Sequence, residues 1–166
     1  MALLLALLAG LVSVGAAPAG AVAAAEEEMS EQRAGQYYLR VVCPANEATQ
    51  RFSRVVFGGR DRIPGQVVRR RLPELRRAAG AWAASIYREV RELLNPPKAW
   101  PSSVAEQVDT AAAKRLKVHD AVRDMSKADS ALGYINHYKR ALKFYRQGPS
   151  AGIRAQLDLP PPGRGC

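Results

Sequence analysis

The stretch YYLRVVCPANEATQRF, residues 37–52, decides the fold of this chain of 166 residues. Apolar residues recur in it and just after it at steps of three and four, as Tyr38, Val41, Ala45, Ala48, Phe52 and Val55. This spacing places one apolar stripe along a helix, so we predict a first amphipathic helix that starts at residue 30 or 36 and ends before Gly58-Gly59. Pro44 lies inside the pattern and removes a backbone donor there, which predicts either a kink or a fresh helix start.

Residues 2–25 carry no charge and begin with a run of alanine and leucine. Such a segment is typical of a secretory signal peptide, and small residues allow cleavage after Ala23 or Ala25. The alternative is an uncleaved membrane anchor, because the uncharged run is long enough to span a membrane. We therefore expect residues 1–25 to be a signal peptide and the protein to be secreted or held in the cell envelope.

The rest of the chain has the size of one ordinary domain. We predict a flexible acidic tether over residues 26–30 and a single helical domain over residues 31–166. All 25 lysines and arginines and all 15 aspartates and glutamates follow the leader, so this part carries a net charge of +10. A chain rich in alanine and arginine can also reflect a GC-rich genome, so the charge alone does not identify a partner.

Cys43 lies in the opening stretch, and the other cysteine, Cys166, is the last residue of the sequence. An even number of cysteines in an exported chain favours an internal disulfide, with two free thiols or intermolecular pairing as alternatives. Closing so long a loop removes about 4 to 5 kcal/mol of unfolded-state freedom on the chain-entropy account. The helical period puts Cys43 beside Leu39, opposite the apolar stripe. We therefore predict that the C-terminal tail crosses the outer face of the first helix.

Further helices follow from the same kind of pattern. After a basic connector over residues 60–72, we predict a second helix over residues 73–94, because proline suits a first helical position. Ser103 and Glu106 have the spacing of a capping box for a third helix. One helix running from there through the next apolar segment would be about 69 Å long at 1.5 Å per residue, so we place a turn near residues 126–130.

A fourth helix over residues 130–147, a short fifth helix over residues 150–157 and an extended tail complete the predicted order. The inward residues are predicted to be Leu75, Ala79, Trp82, Ile86, Val90 and Leu93 on the second helix, Val104, Val108, Ala111, Val118, Val122 and Met125 on the third, and Ala131, Leu132, Ile135, Tyr138, Leu142 and Tyr145 on the fourth. The predicted fold is all-α: an antiparallel four-helix bundle with a short fifth helix and an extended C-terminal tail pinned by a disulfide.

The segment from Arg51 to Arg77 is strongly basic, with nine arginines against Asp61 and Glu74. Such a patch can hold an anionic polymer or an anionic membrane surface. Nucleic acid is not expected as a partner, because the protein is exported and the segment offers no stacking aromatics on its outer side. A merely solvated basic face is the alternative. The residues predicted to bind an anionic surface are Arg60, Arg62, Arg69, Arg70, Arg71, Arg76 and Arg77.

We find no residue pattern that predicts catalysis, a metal site or a cofactor. His119 lies beside the apolar stripe of the third helix, whereas His137 points away from that of the fourth, so the two should not meet. Glu89 and Glu92 have arginine neighbours and do not form an acid-base pair. The second functional hypothesis is a groove between helices that binds a small ligand or a partner protein. Its candidate lining is Tyr37, Tyr87, Tyr134, Tyr138 and Tyr145.

Three short motifs carry a resemblance. They are Tyr38-Leu39 to Val42-Cys43-Pro44-Ala45-Asn46, then Trp100-Pro101 before an alanine-rich helix, then Leu157-Asp158-Leu159-Pro160 before a terminal cysteine. Together they resemble a loose group of small exported or lipid-anchored proteins of unknown function from GC-rich Gram-positive bacteria. The resemblance implies a helical bundle that faces the cell envelope and carries over no catalytic residue. This chain differs from the lipid-anchored proteins because no cysteine follows its leader.

Overall fold

The computed structural model describes residues 27–58, 65–146, 150–161 and 166. Over these residues the chain is all-helical, as predicted, with no strand beyond an isolated bridge between Glu28 and Ala99. None of the described helices has an apolar run long enough to cross a membrane, and the predicted signal peptide lies outside the described residues. The helices are α1 (Glu31–Phe57), α2 (Gly65–Leu94), α3 (Ala105–Lys127), α4 (Ala131–Tyr145) and α5 (Ser150–Gln156).

α1 begins at a capped end and runs without a break through Pro44. Ser30 accepts a hydrogen bond from the backbone N–H of Arg33 at 3.4 Å, which satisfies one donor of the first turn. Gly58 ends the helix with a φ of 53°, and its N–H donates to the carbonyl of Arg54. Glycine adopts this left-handed conformation at little cost. A fresh helix start at Pro44, one of the two expectations, is therefore wrong.

α2 begins at Gly65, well before the predicted start at Pro73, so part of the predicted connector is helical. Val68 and Leu75 are fully buried, and Leu72 packs against the same core. Their spacing of three and four extends the apolar stripe toward the start of the helix. Because burying these side chains outweighs the loss of one backbone hydrogen bond, the proline lies inside the helix.

α3 begins at Ala105 without the predicted capping box. Its N-cap residue, Val104, makes no side-chain cap hydrogen bond, and the Val104 N–H donates to the carbonyl of Pro101 at 2.9 Å. The hydroxyl of Ser103 instead donates to a carboxylate oxygen of Glu31 at 3.4 Å. A contact with the start of α1 has therefore replaced the local cap.

The turn between α3 and α4 lies where it was predicted, and Ser130 caps α4 by accepting a backbone hydrogen bond at 3.1 Å. The predicted inward face of α4 is wrong at two positions, because Leu132 is 69% exposed and Tyr145 is 37% exposed. Tyr134 is buried instead, and its hydroxyl donates to the carbonyl of Leu75 at 3.3 Å. Burying this larger ring sets a register that turns Leu132 outward.

The buried apolar residues form two clusters, to which α1, α2 and α3 all contribute. The Trp82 cluster includes Phe52, Val56, Val68, Leu75, Ile86, Val122 and Tyr134, and the Trp100 cluster includes Tyr37, Val41, Leu93, Val108, Ile153 and Leu157. The boundary between them falls between Val42 and Ala48 on α1, between Val90 and Leu93 on α2, and between Ala112 and Val118 on α3. α2 packs against α1, α3 and α4, and α3 packs against α4 and α5.

Residues 27–30, which the sequence predicts to be a flexible tether, contact the connection between α2 and α3. The carboxylate of Glu27 lies 2.7 Å from the ammonium of Lys98, and the N–H of Met29 donates to the carbonyl of Ala99 at 2.9 Å. The side chain of Met29 is buried in the Trp100 cluster. Burial of this apolar side chain favours the contact of the segment with the helices.

Cys43 and Cys166 form a disulfide, as predicted, with their Cα atoms 5.4 Å apart. The segment after α5 packs on α1 at Gly35, where an added Cβ would lie 3.1 Å from the side chain of Leu159. The missing side chain of Gly35 therefore allows the tail to approach α1 closely. Leu39 lines a groove between α1 and this segment, on the side of α1 that the position of Cys43 predicts.

Candidate functional site

A cavity of about 350 Å³ lies where the Trp82 cluster and the Trp100 cluster meet. Its volume is within the range of about 300–1,000 Å³ that is usual for small-molecule sites. All five helices and the terminal cysteine contribute to its wall, which combines apolar and charged side chains. The side chains that matter most for its chemistry are Tyr38, Glu89, Lys114, Arg115, Tyr145 and Arg154.

The centre of the wall is an ion pair between Glu89 of α2 and Arg115 of α3. Nε of Arg115 donates to Oε1 of Glu89 at 2.9 Å, and Nη2 of Arg115 lies 2.8 Å from Oε2. Glu89 is only 4% exposed. Despite the short distance, Oε2 receives no hydrogen bond of good geometry from any described residue. One oxygen of this buried carboxyl group therefore keeps unused acceptor capacity.

Two opposing effects act on this pair. Burial raises the pKa of Glu89, because the charged carboxylate loses water, and the neighbouring guanidinium opposes that rise. Burial alone would lower the pKa of Arg115, but the carboxylate beside it raises that pKa. Buried ion pairs are weak sources of stability, since the desolvation cost offsets much of the attraction. A pair of this kind beside a cavity is more typical of a functional site than of a purely structural one.

Tyr38 of α1 brings a hydroxyl group to the same wall. The residue is buried and lines the cavity. Burial, reinforced by the charge of Glu89, raises the pKa of Tyr38 to about 12. The hydroxyl therefore keeps its proton at physiological pH and can donate a hydrogen bond into the cavity.

The C-terminal end of α4 supplies an aromatic side to the cavity through Phe144 and Tyr145. The guanidinium carbon of Arg115 lies 5.2 Å from the centre of the Tyr145 ring, a cation–π contact. Arg115 therefore contacts both Glu89 and the Tyr145 ring. Tyr145 is partly exposed and lines the cavity.

Arg154 of α5 completes the charged part of the wall and is only 2% exposed. Its Nη1 donates to the carbonyl of Pro160 at 2.7 Å, and its Nη2 donates to Sγ of Cys166 at 3.5 Å. Asn46 also approaches this sulfur, with its amide nitrogen 3.8 Å away. The disulfide to Cys43 therefore fixes both the end of the tail and the guanidinium that lies against it.

The seven arginines predicted to bind an anionic surface do not all have the same surroundings. Arg60 and Arg62 lie outside the described residues. Arg71 forms two hydrogen bonds with Glu74, at 2.6 and 2.9 Å, and a third with the carbonyl of Val55. Arg76 donates to the carbonyl of Ser126 at 3.0 Å. The side chains of Arg69, Arg70 and Arg77 are exposed on α2.

The exposed face of α2 extends this basic surface beyond the segment that the sequence marked. Arg88 and Arg91 are also exposed, further along the same helix. Of the three carboxylates on α2, Glu74 pairs with Arg71 and Glu89 is buried, so only the charge of Glu92 is left to offset part of that of the five exposed arginines. We call Arg69, Arg70, Arg77, Arg88 and Arg91 the α2 arginine face.

The two histidines lie on different helices, each beside an aspartate. Nδ1 of His119 is 3.2 Å from Oδ1 of Asp120, and the ring of His119 packs on that of Tyr87 at 5.4 Å. Nδ1 of His137 is 4.0 Å from Oδ2 of Asp124. Within the described ranges, no group of three or more His, Cys, Asp or Glu side chains could hold a metal ion.

Sequence reasoning named five tyrosines as groove-lining residues, but only Tyr145 lines the cavity. Tyr37 and Tyr134 are buried in the two clusters, and Tyr87 is exposed. Tyr138 packs against the Trp82 cluster. These four tyrosines do not line the cavity, as expected of aromatic residues at helical spacing, which belong to the core or its rim more often than to a ligand site.

The two charged residues at the centre of the cavity were not predicted as site residues. Glu89 follows Ile86 by three positions and precedes Leu93 by four, so it is in phase with the apolar stripe of α2. Arg115 stands in the same relation to Ala111 and Val118 on α3, at steps of four and three. A charged residue at a core position of the helical period was therefore the signal that could have found this pair.

Comparisons with protein-family models, with curated proteins and with solved structures found no match to this chain. The function of the cavity must therefore be argued from its own chemistry. Its wall contains the ion pair of Glu89 and Arg115, the neutral hydroxyl of Tyr38 and two further cationic side chains. The other lining residues are largely apolar. Such a combination can orient and hold a small amphipathic molecule.

Proposed function

We propose that this chain is an exported, non-catalytic helical protein of the cell envelope that binds a small molecule in the cavity between its two apolar clusters. The observation that carries the proposal is the buried ion pair of Glu89 and Arg115 in the wall of a cavity of about 350 Å³. The uncharged leader supports export.

The ion pair supports binding because removing its two charges from water costs free energy of desolvation. A scaffold that needed only stability would gain as much from two apolar side chains at these positions. Both neighbouring clusters are built in that way, from Val90 and Leu93 on α2 and from Ala112 and Val118 on α3. Keeping charges between two well-packed clusters therefore favours a role in recognition.

We also propose that the four long helices form an antiparallel bundle. The start of α1, the end of α2 and the start of α3 share the Trp100 cluster, which supports alternating directions for these helices. The connection between α3 and α4 is only residues 128–130, and short connections are typical of antiparallel neighbours. In such a bundle, ligand sites lie in the interior between facing helices.

The test compares a variant that fills the cavity with a matched variant on the surface. Ala111 of α3 lines the cavity, whereas Ala113 of the same helix is exposed. Trp82 can report on binding, because its Nε1 donates at 2.9 Å to the hydroxyl of Thr49, which lines the cavity.

A library of small amphipathic molecules should contain compounds that change this fluorescence. Such compounds should bind the wild-type protein and Ala113→Phe equally, and bind Ala111→Phe at least about tenfold more weakly, a difference of about 1.4 kcal/mol. Circular dichroism would confirm that both variants are folded. Equal binding to the two variants, or no binding compound at all, would contradict the proposal.

The α2 arginine face favours a second candidate function, the binding of an anionic wall polymer or an anionic membrane surface. Its five arginines span about 33 Å along the helix at 1.5 Å per residue. An extended row of cations suits a polyanion better than a small ligand. The two functions are compatible, because the arginines are exposed on α2 and the cavity lies between the helices.

A further inference from the structure

The ion pair of Glu89 and Arg115 leaves the positive charge of Arg154 in the same cavity unexplained. Its guanidinium is buried, and the acceptors it uses are a carbonyl oxygen of Pro160 and a sulfur of Cys166. Neither acceptor carries a negative charge, and sulfur is a weak acceptor. Within the described ranges, no carboxylate lies at ion-pair distance from Arg154. Buried cations in proteins are normally paired with anions.

Arg115 provides the comparison within the same cavity. It is matched by Glu89, with two contacts shorter than 3 Å. The carboxylate of Glu89 is therefore already used and does not neutralise Arg154. Lys114 adds a further cationic side chain to the wall. Arg154 therefore adds to the wall a positive charge that Glu89 does not offset, which favours an anion over a cation beside it.

Tyr38 points to the same class of ligand. Its side chain lines the same cavity as Glu89, Arg115 and Arg154. A protonated hydroxyl beside a guanidinium offers two donors to one acceptor group, as a carboxylate requires. The donor side of the cavity is therefore formed by α1 and α5 together.

The rest of the wall is apolar and calls for an apolar part in the ligand. Val42, Leu93 and Phe144 line the cavity, and their side chains carry no charge. A fully hydrated inorganic anion would leave these surfaces in contact with water. An organic anion with a hydrocarbon part would cover them and gain from their burial.

We propose that the cavity takes a small amphipathic organic anion, whose carboxylate or similar head lies against Arg154 and Tyr38 and whose apolar part packs on Val42, Leu93 and Phe144. This inference rests on the proposed function, because it names the class of ligand that the cavity binds. The ligand supplies a counter-charge for a buried guanidinium that forms no ion pair with the residues that the structure describes.

The test uses three probes that share a chain of ten carbons and differ in charge: decanoate, decanol and decylammonium. The quenching or shift of the intrinsic tryptophan fluorescence, to which Trp82 and Trp100 both contribute, measures the dissociation constant of each probe from the full folded protein. Decanoate should bind at least about tenfold more tightly than decanol, since a hydrogen bond to a charged group contributes about 1.5–3 kcal/mol. Decylammonium should bind most weakly.

Variants then locate the anion. Arg154→Gln should weaken decanoate about tenfold or more and leave decanol nearly unchanged. Arg70→Gln removes the same charge from the exposed face of α2 and should change neither. Tyr38→Phe, which keeps the ring and removes only the hydroxyl, is the second variant if Arg154→Gln does not fold. It should weaken decanoate more than decanol.

The outcomes separate the two proposals. If none of the three probes binds, the inference of an amphipathic organic anion is wrong, whereas the proposed function stands or falls with the library and the comparison of Ala111→Phe with Ala113→Phe. If decanol binds as tightly as decanoate, or decylammonium binds more tightly, the cavity binds small molecules but the inference of an anionic ligand is wrong. If Arg70→Gln weakens decanoate as much as Arg154→Gln does, the selectivity reflects only the net charge of the protein, and the inference is again wrong.

Discussion

The carboxyl group of Glu89 on α2 faces the guanidinium of Arg115 on α3, with both nitrogen–oxygen contacts shorter than 3 Å and with Glu89 almost completely buried. This pair interrupts the apolar interior at the level where the Trp82 cluster gives way to the Trp100 cluster. The cavity opens beside it. The relationship of these two residues therefore links the packing of the helices to the proposed binding site.

Removing one partner of the pair should cost much more stability than removing both. Glu89→Leu or Arg115→Met alone leaves a charge buried without its partner and should lower the free energy of unfolding by about 3–5 kcal/mol. The double variant Glu89→Leu/Arg115→Met should differ from the wild type by about 1 kcal/mol or less, or be more stable. Urea denaturation of the four proteins measures the coupling. Additive effects of the two single changes would show that the residues do not act as a pair.

The pH dependence of stability should carry the signature of Glu89. Because the pKa of its carboxyl group is raised above 4.5 in the folded protein, the unfolded chain loses this proton first as the pH rises. Its contribution to the free energy of unfolding is complete below pH 4.5 and is lost as the pH rises from there through the folded-state pKa. Urea denaturation from pH 4 to pH 8 should show this decline in the wild type. A slope of the same size in the Glu89→Leu/Arg115→Met variant would assign it to other groups.

The disulfide should contribute both stability and binding. It closes a sequence separation of 123 residues, so Cys43→Ala/Cys166→Ala should lower the free energy of unfolding by about 4 to 5 kcal/mol on the chain-entropy account. The same variant should weaken decanoate binding, because Cys166 lines the cavity and contacts Arg154. Peptide mapping without reductant checks the linkage. Unchanged stability and unchanged binding in the variant would show that the tail is not needed for either.

The α2 arginine face should bind anionic surfaces in a salt-dependent way if the second candidate function is correct. Arg69→Ser/Arg70→Ser/Arg77→Ser should reduce sedimentation with anionic lipid vesicles, and raised salt should reduce sedimentation of the wild type. Arg71 and Arg76 are left unchanged because they form internal hydrogen bonds. The matched control, Lys117→Ser/Lys127→Ser/Lys139→Ser, removes the same charge from exposed positions of α3 and α4. Equal loss in both triple variants would show that only the net charge matters.

Much of the fold could be predicted because the helical period is strong where the core is apolar. All six residues predicted to face inward on α2, and all six on the third helix, are buried. The pairing of Cys43 with Cys166 also followed from the sequence, since an exported chain with two cysteines favours one bridge. Local chemistry and tertiary packing agree in these places.

The predictions failed where a distant contact outweighed a local signal. Pro73 marks a local helix start, but burial of Val68 extends α2 past it. Ser103 has the spacing of a cap, but it contacts Glu31 instead. The cavity itself could not be predicted, because its wall is formed where the C-terminal residues, Arg154 among them, pack near α1. No local sequence pattern indicates that tertiary contact.

The most direct test of the binding site is a crystal structure of the protein grown with decanoate. We predict electron density for the ligand in the cavity, with its carboxylate within about 3 Å of the guanidinium of Arg154 and the hydroxyl of Tyr38, the distance of a charge-assisted hydrogen bond. The apolar chain should lie toward Leu93 and Phe144. An empty cavity at a decanoate concentration that saturates the fluorescence signal, or ligand density elsewhere on the protein, would contradict the account.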